Sequence, residues 1–489
     1  VSILVVDLGT SGVRAAVVRP DASVEHVHHL AVLPDTPAPG LVEFDATALA
    51  DAALAVARQA LAEGGPVEAV GLADQRASTV VWERASGRPV APAIGWQDLR
   101  TVGTCLELQG QGFRVAPNAS ATKLAAILDA VDPDRRRSEA GELAFGTVDA
   151  WATWNLTEGA LHVTDATNAG VTGLIRPDAA SWDSRLLEAL RIPEAVLPTV
   201  VDSSGGLGPA TALDGRPLLA GMAGDQQASL VGQGCTRPGL AKATFGTGGM
   251  LDQCTGDTAP THAGRGPAGT FPIVAWRRAG RLRWGIEAVM LSAGTCVEWL
   301  RDDLGILQSA AESAEVAARC QESGDVWFVP ALLGLGTPVW DFGARGTLVG
   351  LTRGSGRPEV VRAVLEGVAH RGADLLEAAE ADSGLAVPAL RVDGGMSDND
   401  VFVHALADAC GRVVEVAPVT EATTLGAAFL AGMVVGTWAD EDEVAAAWRP
   451  RRVVEPTLDD ATRQSRRARW LEARARAEGT VPELSAIEF

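Results

Sequence analysis

Apolar residues open the chain in two short runs, 3–6 and 13–18. They flank Asp7-Leu-Gly9-Thr10-Ser11-Gly12, a segment that predicts strand, tight turn, strand. Over residues 45–62 alanine and leucine recur at helical spacing, and a helix is expected there. Residues 67–72 and 79–82 are short apolar runs that read as strands. Strands alternating with amphipathic helices predict an α/β architecture around a mixed sheet.

The second half has the same layout. Residues 240–249 read as a strand ending in the small-residue turn Gly246-Thr247-Gly248-Gly249. Residues 389–395 read as a strand ending in Gly394-Gly395, with helices over 400–410 and 424–435 and a strand over 413–416. This predicts a duplicated architecture, although no residue-level repeat is visible. The Gly/Pro-rich stretch 203–217 is a candidate boundary loop. Residues 264–269 spell GxGxxG, but no strand precedes them and Pro267 sits inside, so they carry little weight as a dinucleotide site. The arginine-rich run 461–478 reads as a helix with a solvated face. Residues 422–439 are uncharged but hold three glycines and three threonines, which favours a buried helix over a membrane span.

Composition narrows the function. The chain has 489 residues, 47% of them hydrophobic, which is ample for a core and suggests two or three domains. The net charge of −21 argues against nucleic acid and anionic membranes as partners. Lys123 and Lys242 are the only lysines, and neither follows a glycine, so a Walker-type phosphate loop is excluded. The six cysteines are scattered without metal-ligand spacing and are expected to be free thiols. His26, His28 and His29 are expected on an exposed strand or turn. No targeting segment is visible, and a soluble, cytoplasmic protein is expected.

Without lysine, a phosphate can be held by backbone N–H groups of glycine-rich turns, by hydroxyls and by arginine. Three segments offer this at strand ends: Asp7 to Ser11 with Arg14, Gly246 to Gly249, and Asp393 to Gly395. Open α/β sheets place their ligands at such strand ends.

These segments, together with Asp74-Gln-Arg76, Ile94-Gly-Trp96-Gln-Asp98, Phe145-Gly-Thr-Val-Asp149, Thr164-Asp-Ala-Thr-Asn168, Gly224-Asp-Gln-Gln227 and Gly334-Leu-Gly-Thr-Pro-Val-Trp-Asp341, resemble the FGGY carbohydrate kinases. The resemblance is greatest to the glycerol kinase branch and runs from residue 5 to about residue 438. It implies two ribonuclease-H-like (actin-like ATPase) domains flanking a catalytic cleft, divided as 1–232 for polyol and 233–489 for ATP. The implied reaction is transfer of phosphate from ATP, with Mg²⁺, to a terminal hydroxyl of a small polyol. Asp225 resembles the catalytic base, Arg14 the fixed positive charge at the transferring phosphate, and Asp7 the Mg²⁺ residue. Thr10, Ser11, Thr247 and Gly248 would meet the phosphates, and Gly294, Glu298, Gly395 and Asn399 would line the nucleotide site. Arg76, Ala77, Trp96, Asn118, Asp225, Gln226 and Met250 would surround the polyol. A homodimer or higher homo-oligomer is left open.

Three of these positions depart from the glycerol-kinase pattern: Ala77 stands where it has Glu, Asn118 where it has Tyr and Met250 where it has Phe. Tyrosine is absent from the whole chain. Losing two hydrogen-bonding partners of substrate hydroxyls implies a larger pocket. The expectation is that glycerol is a poor substrate or sits in an altered pose. Glu298, where many glycerol kinases have Gln, bears on nucleotide preference. A kinase for a ketose or another sugar is the alternative enzyme reading. An actin-like ATPase scaffold or a degenerate regulatory kinase is the alternative from another class.

Overall fold

The computed structural model describes residues 1–176, 179, 181–418 and 422–486. In the first half β1 (Ile3–Leu8), β2 (Gly12–Val18) and β3 (Val24–Ala31) form an antiparallel meander. Helix α1 (Ala46–Gly64) starts where Asp45 accepts from the N–H groups of Thr47 and Ala48, a side-chain N-cap. Strand β4 (Ala69–Asp74) returns parallel to β1. Helices α2 (Ser120–Val131), α3 (Val148–Leu156) and α4 (Ala166–Val171) follow. Strands β5 (Ser204–Pro209) and β6 (Leu218–Gly224) are antiparallel, and β6 lies parallel to β4. Helix α5 (Asp225–Gly232) starts directly at the end of β6.

The second half opens with β7 (Ala241–Phe245), β8 (Gly249–Gly256), β9 (Phe271–Arg278) and β10 (Arg281–Met290), all paired antiparallel. Then come α6 (Gly294–Asp302), α7 (Arg357–Ser383), β11 (Ala389–Asp393), α8 (Asp400–Cys410), β12 (Val413–Val416), α9 (Ala422–Val435), β13 (Arg452–Val454) and α10 (Asp460–Ala475). The sheet order is β13-β12-β11-β7-β8-β10-β9-β5-β6-β4-β1-β2-β3. The expected duplication is visible in it. β1 pairs antiparallel with β2 and parallel with β4, as β7 pairs antiparallel with β8 and parallel with β11.

Two helices cross between the halves. α9 packs on β1, β4 and β6, while α5 packs on β7, β8 and β9 and against α9. Their crossing is made of small residues. A Cβ on Gly426 would fall onto the Ala228 carbonyl oxygen, and one on Gly232 would lie 2.7 Å from the Gly426 nitrogen. Asp225 therefore starts a helix clamped between the halves.

Several local expectations are corrected. Residues 203–217 are not a boundary loop, because β5 lies within them and joins the two half-sheets at the pair Ser204–Arg278. Glycine content reads as loop, but here the glycines run extended beside β6. The arginine run on α10 is not simply solvated. Arg467 is buried against Asp374 and Glu377 of α7, and Trp470 donates to Asp374. The histidine cluster does lie on an exposed strand, β3. All six cysteines are free, five of them buried. Among the described residues no helix is long and apolar enough to cross a membrane.

Candidate active site

The β1–β2 turn presents Thr10 and Ser11, and its register sets Asp7 directly opposite Arg14. The Gly9 N–H donates to the Gly12 carbonyl at 2.9 Å, closing the turn. Gln75, just past β4, donates to the Gly9 carbonyl at 3.2 Å and fixes the turn from below. Burial lifts the Asp7 carboxyl to about 7; the Asp225 carboxylate adds to the rise and the Arg14 guanidinium opposes it. Asp7, Arg14 and Asp225 thus share one electrostatic site.

Asp225 occupies the first turn of α5, and its side chain is 38% exposed. It is not the N-cap, a position held by Gly224. Its Oδ1 lies 3.4 Å from Arg76 Nε. Arg76 also reaches Glu287 on β10 at 2.7 Å and the Met250 Sδ on β8 at 3.7 Å, so residues of both halves meet on one guanidinium. Burial opposes its charge, but Glu287, Asp225 and Asp252 raise its pKa, so it stays protonated. The Trp96 indole N–H donates to Thr10 Oγ1 at 3.1 Å, tying Trp96 to the β1–β2 turn. Ala77 is buried in the left-handed region at φ 62°. Asn118 is exposed, and its carbonyl accepts from Lys123 Nζ at 3.1 Å.

The other three glycine-bearing segments converge by contact. The Gly294 N–H donates to the Gly246 carbonyl at 2.8 Å and the Ala293 N–H to the Thr247 carbonyl at 2.9 Å. A Cβ on Gly294 would lie 2.6 Å from Gly246 O, and one on Gly394 2.5 Å from Phe245 O. Only glycine lets these turns touch. A Cβ on Gly246 or Gly395 would meet nothing within 4 Å, so both border open space. Glu298 is exposed one turn along α6 from Gly294. The Asn399 side chain is engaged locally, accepting from the Phe402 N–H and donating to Ser313.

The donor set around Asp7 fits a hard cation held largely through water. Oxygen ligands are present, and a positive charge would offset the repulsion between Asp7 and Asp225. Among the described residues no group of three or more His, Cys, Asp or Glu side chains is placed to hold a metal ion. The glycine turns fit a polyphosphate, since they offer close backbone approach and open space together.

Sequence reasoning missed the layer beneath these residues. Lys242, Asp252 and Glu287 lie behind Arg76 and Gln226, and Lys123 supports Trp96 and Asn118. Burial lowers the Lys123 ammonium to about 7, with Asp98 opposing. The available signal was a lysine inside an apolar strand, and a second one in an apolar helix. Asp74, Asp149 and Asp165 form a buried carboxyl cluster nearby, joined through Asn168, which donates to Asp74 at 2.8 Å and to Asp165 at 3.1 Å.

The chain also matches known proteins in family and fold. Residues 2–232 match the FGGY family of carbohydrate kinases, N-terminal domain, and residues 241–435 match its C-terminal domain. The chain is 42% identical over 484 residues to a glycerol kinase of Dechloromonas aromatica, covering 96% of each. It is 40% identical to glycerol kinase 2 of Thermotoga maritima, covering 98% of this chain and 99% of that one. The crystal structure of Plasmodium falciparum glycerol kinase with ADP superposes with a TM-score of 0.91 at 25% identity, over 100% of this chain and 99% of that one. Family models that match both halves, together with glycerol kinase relatives about 42% identical over nearly the whole chain, make this chain a member of the FGGY family of carbohydrate kinases, enzymes that phosphorylate an alcohol.

Proposed function

We propose that the chain transfers phosphate from ATP to a terminal hydroxyl of a small polyol, glycerol or a longer relative. The observation that carries this is Asp225. It is a partly exposed carboxylate on a clamped helix, 3.4 Å from Arg76 and near enough to Asp7 to help raise the Asp7 carboxyl pKa. In this reading Asp225 accepts the hydroxyl proton and aims the oxygen, which suits a phosphoryl transfer dominated by positioning. Arg14, Thr10 and Ser11 meet the transferring phosphate from the β1–β2 turn, and Thr247 and Gly248 meet the chain of phosphates from the β7–β8 turn. Gly294, Glu298, Gly395 and Asn399 border the nucleotide, and Asp7 would hold Mg²⁺. When bound, Mg²⁺ supplies neutralisation of phosphate charge. Arg76, Trp96, Gln226, Asn118, Ala77 and Met250 surround the polyol. The working division is 1–232 for polyol and 233–489 for ATP, in a cytoplasmic enzyme.

Ala77 and Asn118 leave room and fewer hydroxyl partners, so a polyol longer than glycerol is favoured as substrate. Steady-state kinetics over glycerol, erythritol, ribitol and xylitol test this. Glycerol with by far the highest kcat/KM would overturn the longer-polyol preference, and no polyol-dependent ADP release would overturn the kinase reading. Asp225→Asn should retain nucleotide binding by calorimetry while kcat falls about a hundred-fold or more, the usual cost of a lost general base. Near-normal turnover in that variant would remove Asp225 from the role.

A further inference from the structure

Of 41 basic residues only two are lysines, and both are fully buried. Each sits behind residues assigned above to the polyol. The Lys242 ammonium donates to Gln226 Oε1 at 2.6 Å and to Thr244 Oγ1 at 3.1 Å, and it pairs with Asp252 at 2.7 Å. The ammonium thus has two hydrogen-bond acceptors and one paired carboxylate. The Lys123 ammonium donates to the Trp96 carbonyl at 2.9 Å and the Asn118 carbonyl at 3.1 Å. These carbonyls lie on separate segments of the polyol side, 22 positions apart in the chain.

A compact ammonium with three rotatable donors can bridge acceptors in a tight space where a planar guanidinium fork cannot. That explains why lysine persists at these two points in a chain that otherwise uses arginine. The Lys242 contact also fixes the Gln226 amide. An ammonium only donates, so the carboxamide must turn its oxygen to Lys242 and keep its NH₂ for another partner.

We propose that Lys242 and Lys123 are positioning residues for the polyol. Lys242 orients Gln226 so that its NH₂ donates to a substrate hydroxyl oxygen. Lys123 ties the Trp96 and Asn118 segments at a fixed spacing. The inference rests on the polyol reading above, and its experiment separates the two.

Lys242→Met alone leaves Asp252 buried and unpaired, so the test variant is Lys242→Met/Asp252→Leu, which removes both charges together. Lys123→Met is the second variant. In each, KM for the accepted polyol should rise about tenfold, the scale of one lost buried hydrogen bond, while KM for ATP stays within about twofold. The rise from Lys242→Met/Asp252→Leu should vanish in a Gln226→Ala background, because the lysine acts through that side chain. A folded variant with unchanged polyol KM, or a rise that persists without Gln226, overturns the proposal.

Lysine-selective ¹³C,¹⁵N labelling gives one side-chain NMR signal per lysine, a readout independent of turnover. Both signals should shift on saturation with the accepted polyol. Turnover with unmoved signals defeats the positioning role. Signals moved by a sugar when no polyol is phosphorylated would support the positioning role and defeat the polyol reading.

Discussion

At the scale of single residues, the site is governed by charges that cannot be removed one at a time. Arg76 and Glu287 each expose only 12% of their side chains and lie 2.7 Å apart. Removing one partner of such a pair strands the other in a poorly solvated place. Arg76→Met should therefore cost about 3 kcal/mol or more in urea unfolding. Arg76→Met/Glu287→Met should recover most of that, since two apolar side chains of similar length leave no orphan charge. Recovery of stability without recovery of polyol turnover would separate the packing role of Arg76 from its substrate role. A single variant as stable as the double would show that water reaches Glu287. The sequence made Arg76 legible because it lies in a motif. Glu287 and Asp252 were not legible, because isolated acids in apolar strands read as strand ends until the partner strand is known.

At the scale of elements, α10 is held by buried charge as well as by the apolar packing of Trp470 and Ala473. Asp374 on α7 receives Arg371 from its own helix, and Arg467, Trp470 and Arg474 from α10. Burial would raise the Asp374 carboxyl, but the three guanidinium groups win and hold it at about 2. The folded pKa lies below the unfolded value. Its contribution is complete above about pH 4 and is lost as pH falls towards 2. Asp374→Asn should lower stability by about 3–5 kcal/mol at pH 7, because it strands buried guanidinium charge. The gap between variant and parent should close below pH 4 in thermal melts, and a gap that stays constant into acid would assign the effect to packing. The sequence predicted this helix but not its docking. An arginine run has the same letters on a solvated face as in a buried clamp, and only the position of Asp374, about 90 residues upstream, decides. The strand-end turns were legible for the opposite reason: glycine, threonine and aspartate there are local requirements of backbone shape and phosphate chemistry. The strand β5 was hidden because its glycines mark a loop locally, although the next strand, β6, pairs with it.

At the scale of the whole molecule, two similar half-sheets are joined through α5 and α9, and the first half carries a charge load beneath the site. Asp74, Asp149 and Asp165 are fully buried together, each with its carboxyl pKa raised, chiefly by burial. Asp149 and Asp165 raise Asp74 by like-charge repulsion and Asp165 raises Asp149, while hydrogen bonds from Asn168, Thr164 and Ser203 oppose the rise. A folded carboxyl pKa above the unfolded one means that the folded state binds more protons between the two values. Stability from this cluster is therefore present at about pH 4 and falls as pH rises through neutrality. Asp74→Asn keeps the shape and removes one buried charge from the end of β4. It gives up one acceptor, since Asp74 accepts from both Asn168 and the Asp149 N–H. The variant should be equal to or less stable than the parent near pH 5, and more stable by about 1–2 kcal/mol at pH 8, within the range of single buried-charge effects. Denaturant melts at half-unit pH steps measure that difference directly. A difference that is flat with pH, or that shrinks from pH 5 to 8, would show that Asp74 stays ionised in the fold. The three aspartates would then be balanced by their hydrogen bonds alone.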